Sequence, residues 1–277
     1  MTILQAFVLA LIQSVTEFLP VSSSGHLIII PKLFNWPLQP LWFDVVLHLG
    51  TLTAVVFYFR RDVWQILKSF FVITEKVDHD KRRLAGLILL AIIPAGLIGF
   101  AFNDLIEQRF RSESIVIINL IFWGVVLIVA DWVGNQKKVN ATEQSKDQNA
   151  LTSLSWSQAL SIGIFQIFSL IPGASRSGVT ISAGIFCDLT KQAAARFSFL
   201  ISIPLILAAG ADQIIKIAKH GSATPIPMLT LTIGFVTAAI GGWLAIKLLM
   251  KILDSWGLKI FGFYRLILAA ILIILLL

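Results

Sequence analysis

Residues 14–26 read SVTEFLPVSSSGH and sit in a stretch that is otherwise nearly pure hydrocarbon. There the chain places a carboxylate (Glu17), three consecutive hydroxyls (Ser22, Ser23, Ser24), a glycine (Gly25) and a histidine (His26). Pro20 ends any helix that carries Glu17, because its ring clashes with the preceding turn and it brings no N–H. The pattern predicts a helix, a polar turn and a second short helix. What surrounds that broken unit decides the fold.

Of the 277 residues, 57% are hydrophobic and only 13% charged, and the mean hydropathy is +0.87. A soluble domain carries about a quarter charged residues. This chain cannot cover a water-facing surface and reads as an all-α integral membrane protein. Its net charge of +7 does not point to nucleic acid, since Lys and Arg crowd the cytoplasmic loops of membrane proteins. The single cysteine, Cys187, excludes an internal disulfide and reads as core. The N-terminus has no basic region followed by a small-residue cleavage site, so no removable signal peptide is expected.

Crossing the hydrocarbon core takes about 20 apolar residues. Six runs qualify: 41–59, 84–102, 115–133, 194–211, 226–246 and 260–277. Sidedness follows from Lys and Arg. Loop 60–83 holds seven, and loops 134–156 and 247–259 hold three each, whereas 103–114 and 212–225 hold two each. The first three loops are therefore expected in the cytoplasm. The chain divides into repeats 1–133 and 157–277 within one membrane domain (1–277), joined by the polar linker 134–156.

Two segments, 1–35 and 157–192, are left over. Each holds two short apolar pieces separated by Pro and a Ser/Gly cluster. Alternation of the six spans requires each to enter and leave on one face, so both read as re-entrant hairpins, a conformation tolerated only inside protein or beside a watery cavity. A shift of 153 residues lays Gln13 on Gln166, Ser22 on Ser175, Ser24 on Ser177 and Gly25 on Gly178. Each hairpin precedes three spans. Three is odd, so the second unit is expected upside down: an inverted repeat, as in transporters with midplane sites.

Gln13 and Glu17, four apart, share a helix face. A carboxylate within a membrane is a functional candidate by default. Ser22, Ser23, Ser24 and Gly25 lead into a helix start, where free N–H groups attract anions, and His26 can move a proton near neutral pH. The second turn, PGASRSGVT at 172–180, adds Arg176 among Ser175, Ser177, Gly178 and Thr180. A guanidinium in such a turn suits phosphate, because it forks two N–H bonds onto two oxygens. Each residue also has a plainer reading: a serine bonding the backbone, an interfacial histidine, a snorkelling arginine. Asp44 and His48 are weaker candidates for the same cavity. Arg196 reads as a headgroup anchor, Arg265 as a snorkelling residue, and Asp188 with Lys191 as a local pair.

QSVTEFLPVSSSGH (13–26) and IPGASRSGVT (171–180) resemble the two signature stretches of the undecaprenyl-diphosphate phosphatase, or bacitracin-resistance, family. FDVVLHLGTLTAVVFYFRR and ARFSFLISIP look like its intervening segments, so the resemblance covers essentially the whole chain. It implies a multi-pass protein of the bacterial inner (plasma) membrane that hydrolyses the isoprenyl diphosphate carrier to monophosphate and inorganic phosphate, recycling it for the cell wall. The residues themselves place Glu17 and Arg176 in the expected catalytic set and Ser22, Ser24, Gly25 and Gly178 in the expected phosphate-binding set. The resemblance implies that the acidic motif falls on Gln13 and Glu17, the catalytic serine on Ser23, the histidine on His26 and the phosphate-binding stretch on Ser175, Arg176, Ser177 and Thr180. A divalent cation (Mg2+ or Ca2+) is held near Glu17 and Gln13. Gln13 stands where the family often has Glu, which leaves Glu17 to carry the charge. The implied partners are the lipid substrate and the membrane. Oligomeric state stays open, a homodimer included, and so does the attacking group: Ser23, His26 or water. The rival reading is a lipid-phosphate transporter or flippase on the same fold; an ion channel is disfavoured by Arg176.

Overall fold

The computed structural model describes residues 1–71, 76–110, 112–140, 151, 153–220 and 226–276. Two short helices, α1 (Ile3–Thr16) and α2 (Ser23–Leu33), lead into α3 (Leu41–Tyr58), α4 (Arg60–Phe71), α5 (Lys76–Arg109) and α6 (Glu113–Asn140). The second half follows the same order without a counterpart of α4. It comprises α7 (Trp156–Gln166) with a 3-10 turn at Ile167–Leu170, α8 (Arg176–Phe186), α9 (Lys191–His220), α10 (Met228–Ser255) and α11 (Lys259–Leu276). No strand occurs among the described residues.

The six expected runs are the six helices long and apolar enough to cross a membrane: α3, α5, α6, α9, α10 and α11. Four of them, α5, α6, α9 and α10, run several residues past the apolar run at one end or both. The expected linker 134–156 begins inside α6, which continues to Asn140; its residues 141–150 and 152 lie outside the described residues. The expected loop 60–83 is corrected more substantially, because it begins with α4. Counting charges hid a helical period there: Trp64, Leu67 and Phe70 recur every three residues and are exposed, while Arg61, Asp62 and Gln65 lie elsewhere on the helix. An exposed apolar stripe on a helix that also carries charge is the pattern of helices suited to a membrane interface.

The offset of 153 residues reaches well beyond the four identities. Thr2 and Gln5 close a capping box on α1, and Ser155 and Gln158 close the same box on α7. α2 and α8 are both 11 residues long and begin and end 153 residues apart. Docking is reciprocal as well: α1 packs on α10 of the second half, and α7 packs on α5 of the first. Elsewhere α3 packs against α10 and α9, and α6 against α11 and α8. The α3–α10 contact is nearly backbone to backbone. A Cβ on Gly50 would fall 2.6 Å from the Phe235 carbonyl oxygen, so a larger residue would have to push the helices apart.

The sidedness read from Lys and Arg has a direct check. With Cys187 replaced by Ser, a cysteine introduced at Asn140 should react with a membrane-impermeant maleimide only after the cytoplasmic face is opened. Labelling in intact cells would overturn the orientation.

Candidate active site

Each polar turn ends one helix and starts the next. Ser22 and Ser175 occupy the N-cap positions of α2 and α8 with positive φ, 76° and 74°. Non-glycine residues rarely adopt such angles, and strain of this kind persists where the surroundings enforce it. The side-chain bonds that hold it are the same in both: Gly25 N–H donates to Ser22 Oγ at 3.3 Å, and Gly178 N–H to Ser175 Oγ at 3.2 Å. Ser24 and Ser177 lie within 3.5 and 3.2 Å of those cap hydroxyls. The remaining first-turn N–H groups of a helix have no intrahelical partner, and its start carries partial positive charge. The Ser177 hydroxyl donates to the Leu19 carbonyl at 3.4 Å, linking one turn to the other.

Glu17 is the meeting point. It follows the last turn of α1 and is buried. One carboxylate oxygen, Oε1, accepts from Arg176 Nη2. The other, Oε2, accepts from Ser23 Oγ at 2.8 Å and from Gln13 Nε2 at 3.0 Å. His48 Nε2 on α3 stands 3.4 Å from the same oxygen. Four of the residues singled out in the sequence are therefore in one network, and the weaker candidate His48 joins them. A carboxylate this buried is tolerable because the Arg176 guanidinium, the Ser23 and Gln13 donors and the nearby His48 ring replace its water. Ser23 and Arg176 are only partly covered and Ser24 is exposed, so the network opens where a hydroxyl and a guanidinium lie side by side.

Other candidates sit differently. His26 is near the network but not on Ser23. Its Nδ1 is 2.7 Å from the Ser22 carbonyl oxygen, so Nδ1 carries the proton, and its Nε2 accepts from the Tyr264 hydroxyl at 2.8 Å. Thr180 bonds the Arg176 carbonyl at 2.7 Å and Ser198 at 2.6 Å, which makes it a support for α8. Asp44 accepts from Gln39 at 2.9 Å. Tyr264 escaped sequence reading, although Tyr-Arg in the middle of the apolar α11 was a visible signal.

Arg265 is the clearest correction. Expected to snorkel, it is fully buried. Its guanidinium donates to the backbone carbonyls of Pro20, Asn119, Leu120, Gly173 and Ala174. Breaking two helices frees carbonyl groups at Pro20 and at Gly173–Ala174, and these give an arginine a better home than the headgroups. Arg265 thus ties both turns to α6. Arg196, expected as a headgroup anchor, donates to Asp62 in a cleft also lined by Arg60, Arg61 and Lys81. Lys191 reaches across to Asp131 at 2.6 Å and Asn135 at 2.8 Å on α6.

The donor set fits a divalent cation at one edge only. Gln13 Oε1 is buried without a hydrogen-bond partner, beside the Glu17 carboxylate, and magnesium and calcium take oxygen ligands of these kinds. No cluster of three or more His, Cys, Asp or Glu suited to a metal occurs among the described residues, so water and substrate oxygens would complete the sphere.

Removing Arg265 should damage the fold before it damages chemistry. Arg265→Ala leaves the turn carbonyls of Pro20, Gly173 and Ala174 without this donor, and each buried polar group left unpaired costs about 1–3 kcal/mol. Thermal unfolding in detergent should show a midpoint many degrees below wild type, with Arg265→Lys in between. Wild-type midpoints for both would mean that the turns do not depend on this residue.

Residues 6–271 match the family described as Bacitracin resistance protein BacA. The chain is 40% identical over 275 residues to the undecaprenyl-diphosphatase of Campylobacter curvus (strain 525.92), covering 99% of this chain and 98% of that one. It is 41% identical over 276 residues to undecaprenyl-diphosphatase 2 of Stutzerimonas stutzeri (strain A1501), covering 99% and 98%. It is also 41% identical over 274 residues to the undecaprenyl-diphosphatase of Caldicellulosiruptor bescii, covering 99% and 97%. With nearly its whole length matched and its two polar turns joined around one carboxylate, the chain belongs to the bacitracin resistance protein BacA family.

Proposed function

We propose that this protein is a membrane phosphatase that hydrolyses undecaprenyl diphosphate to undecaprenyl phosphate and inorganic phosphate, recycling the lipid carrier of cell-wall synthesis. The observation that carries the reading is the Ser23–Glu17–Arg176 array, a hydroxyl, a carboxylate and a guanidinium joined at two helix starts. Family membership and the names of the full-length relatives support it.

Phosphoryl transfer asks mainly for positioning and charge neutralisation. Arg176 and the first-turn N–H groups of α2 and α8 receive the terminal phosphate, with the guanidinium moving from Glu17 onto phosphate oxygens. Ser23 Oγ, already aimed by its bond to Glu17, attacks the terminal phosphorus. The bond from that phosphorus to the bridging oxygen breaks, and the lipid monophosphate leaves with the electron pair. The serine proton passes to Glu17, which becomes a stronger base once Arg176 has left it. Water then cleaves the phosphoserine, releasing inorganic phosphate, and the proton returns to Ser23. His26, committed to Ser22 and Tyr264, shapes the first turn; this arrangement favours Ser23 over His26 as the attacking group. Glu17 and Gln13 would hold a divalent cation, and a bound ion supplies Lewis-acid neutralisation of diphosphate charge. The isoprenoid tail lies among the spans, in lipid.

We read the architecture as an inverted repeat of two re-entrant hairpins, each followed by three spans, in the bacterial plasma membrane. The common offset of caps and turns and the reciprocal docking of α1 and α7 support it. Such a fold suits a lipid-phosphate flippase equally well. The Ser23–Glu17 bond favours chemistry, because transport needs no nucleophile beside a base.

The test is phosphate release from a long-chain isoprenyl diphosphate by purified protein in detergent. Release should stop with a chelator and return with magnesium or calcium; no release under any condition would leave the transporter reading. Arg176→Lys keeps the charge but loses the fork. Removing a group that stabilises transition-state charge costs about a hundredfold or more in rate, and that loss is expected here, with far milder effects for Arg196→Lys. Equal, small effects at both positions would mean the phosphate binds elsewhere.

A further inference from the structure

Glu17 has one partner, His48, that comes from outside α1 and both polar turns. His48 projects from α3, a spanning helix that packs beside α1. Its ring is fixed by its own helix: Nδ1 lies 2.7 Å from the Asp44 carbonyl oxygen, four residues earlier. That contact requires a proton on Nδ1 and turns Nε2 toward Glu17 Oε2 at 3.4 Å. The Asp44 carboxylate, the other charged group nearby, is engaged by Gln39. His48 is partly open, with 32% of its side chain exposed against 5% for Glu17, so it stands at the mouth of the network.

The remaining partners of Glu17 cannot hold it throughout a turnover. Ser23 becomes the nucleophile and loses its proton. Arg176 turns toward phosphate. Gln13 lies on the same helix and moves with Glu17 rather than restraining it. We propose that His48 is a positioning residue: its Nε2–H anchors Glu17 to α3 and keeps the carboxylate on Ser23 while Arg176 is on the substrate phosphate. This inference rests on the phosphatase reading above. It accounts for a histidine on a span that sets its second ring nitrogen 3.4 Å from a carboxylate at the end of another helix. With Nδ1 committed to the Asp44 carbonyl, Nε2 is the ring atom left for Glu17, so the carboxylate keeps a neighbour on α3 when Arg176 leaves.

The experiment compares His48→Ala and His48→Gln with wild type, reading kcat and KM for an isoprenyl diphosphate together with thermal unfolding. A hydrogen bond to a charged group is worth about 1.5–3 kcal/mol, which corresponds to roughly a tenfold to hundredfold change in rate. His48→Ala should lower kcat by about that factor, with KM within about twofold, because the residue holds the base and not the phosphate. His48→Gln presents an N–H at a similar reach and should regain most of the lost kcat. Wild-type kcat in His48→Ala overturns the inference. So does a glutamine variant that folds with a wild-type unfolding midpoint yet is as slow as the alanine variant, or a loss confined to KM. Should the alanine variant fail to fold, the glutamine variant decides alone. A wild-type protein that releases no phosphate overturns the phosphatase reading itself, and this inference with it.

Discussion

The ion pair between Glu17 and Arg176 joins residues 159 positions apart and closes the two halves of the chain over a shared site. Both side chains are mostly removed from solvent, with 5% and 13% exposed. Burying two charges is expensive unless the geometry is good and the remaining polar atoms are satisfied. Much of the polar structure around the site meets that condition. Gln13, Ser23 and His48 complete the carboxylate, the serine caps shape both turns, and Arg265 draws the turns together by their freed carbonyls. The reciprocal docking of α1 on α10 and α7 on α5 brings the helix starts within reach of each other. An ion pair that a phosphate can split is also a means of coupling binding to chemistry. In the mechanism we propose, the substrate takes the arginine and the carboxylate gains basicity beside the serine that needs it.

Much of this was legible in the residues. The six spans are simple hydropathy, and the broken helices are announced by Pro20 and by Pro172–Gly173 with serine runs behind them. The grouping of Gln13, Glu17, Ser23 and Arg176 was readable because polar residues in a membrane chain have few reasons to be there. The 153-residue offset was visible in four identities, and the structure extends it to caps and helix lengths that single residues could not reveal.

What stayed hidden has a common cause: partners set by long-range packing. His26 reads as the proton carrier for Ser23, three residues away, but nothing local reveals that its ring lies between the Ser22 carbonyl and the Tyr264 hydroxyl, the latter 238 residues distant. Arg265 reads as snorkelling in any analysis that assumes intact helices, because the turn carbonyls of Pro20, Gly173 and Ala174 exist only where two helices break. His48 was one polar residue near a span start, and only the packing of α3 beside α1 gives it Glu17. The helix α4 was lost because seven basic residues in one loop drew attention to charge and away from period.

The most direct test of the exchange at the centre of this account is a structure of the protein with orthophosphate bound. Arg176 should lie on phosphate oxygens between the starts of α2 and α8. Glu17 should be released from the guanidinium yet still hydrogen-bonded to Ser23 and close to His48. Phosphate found elsewhere, with the Glu17–Arg176 pair intact, would contradict it.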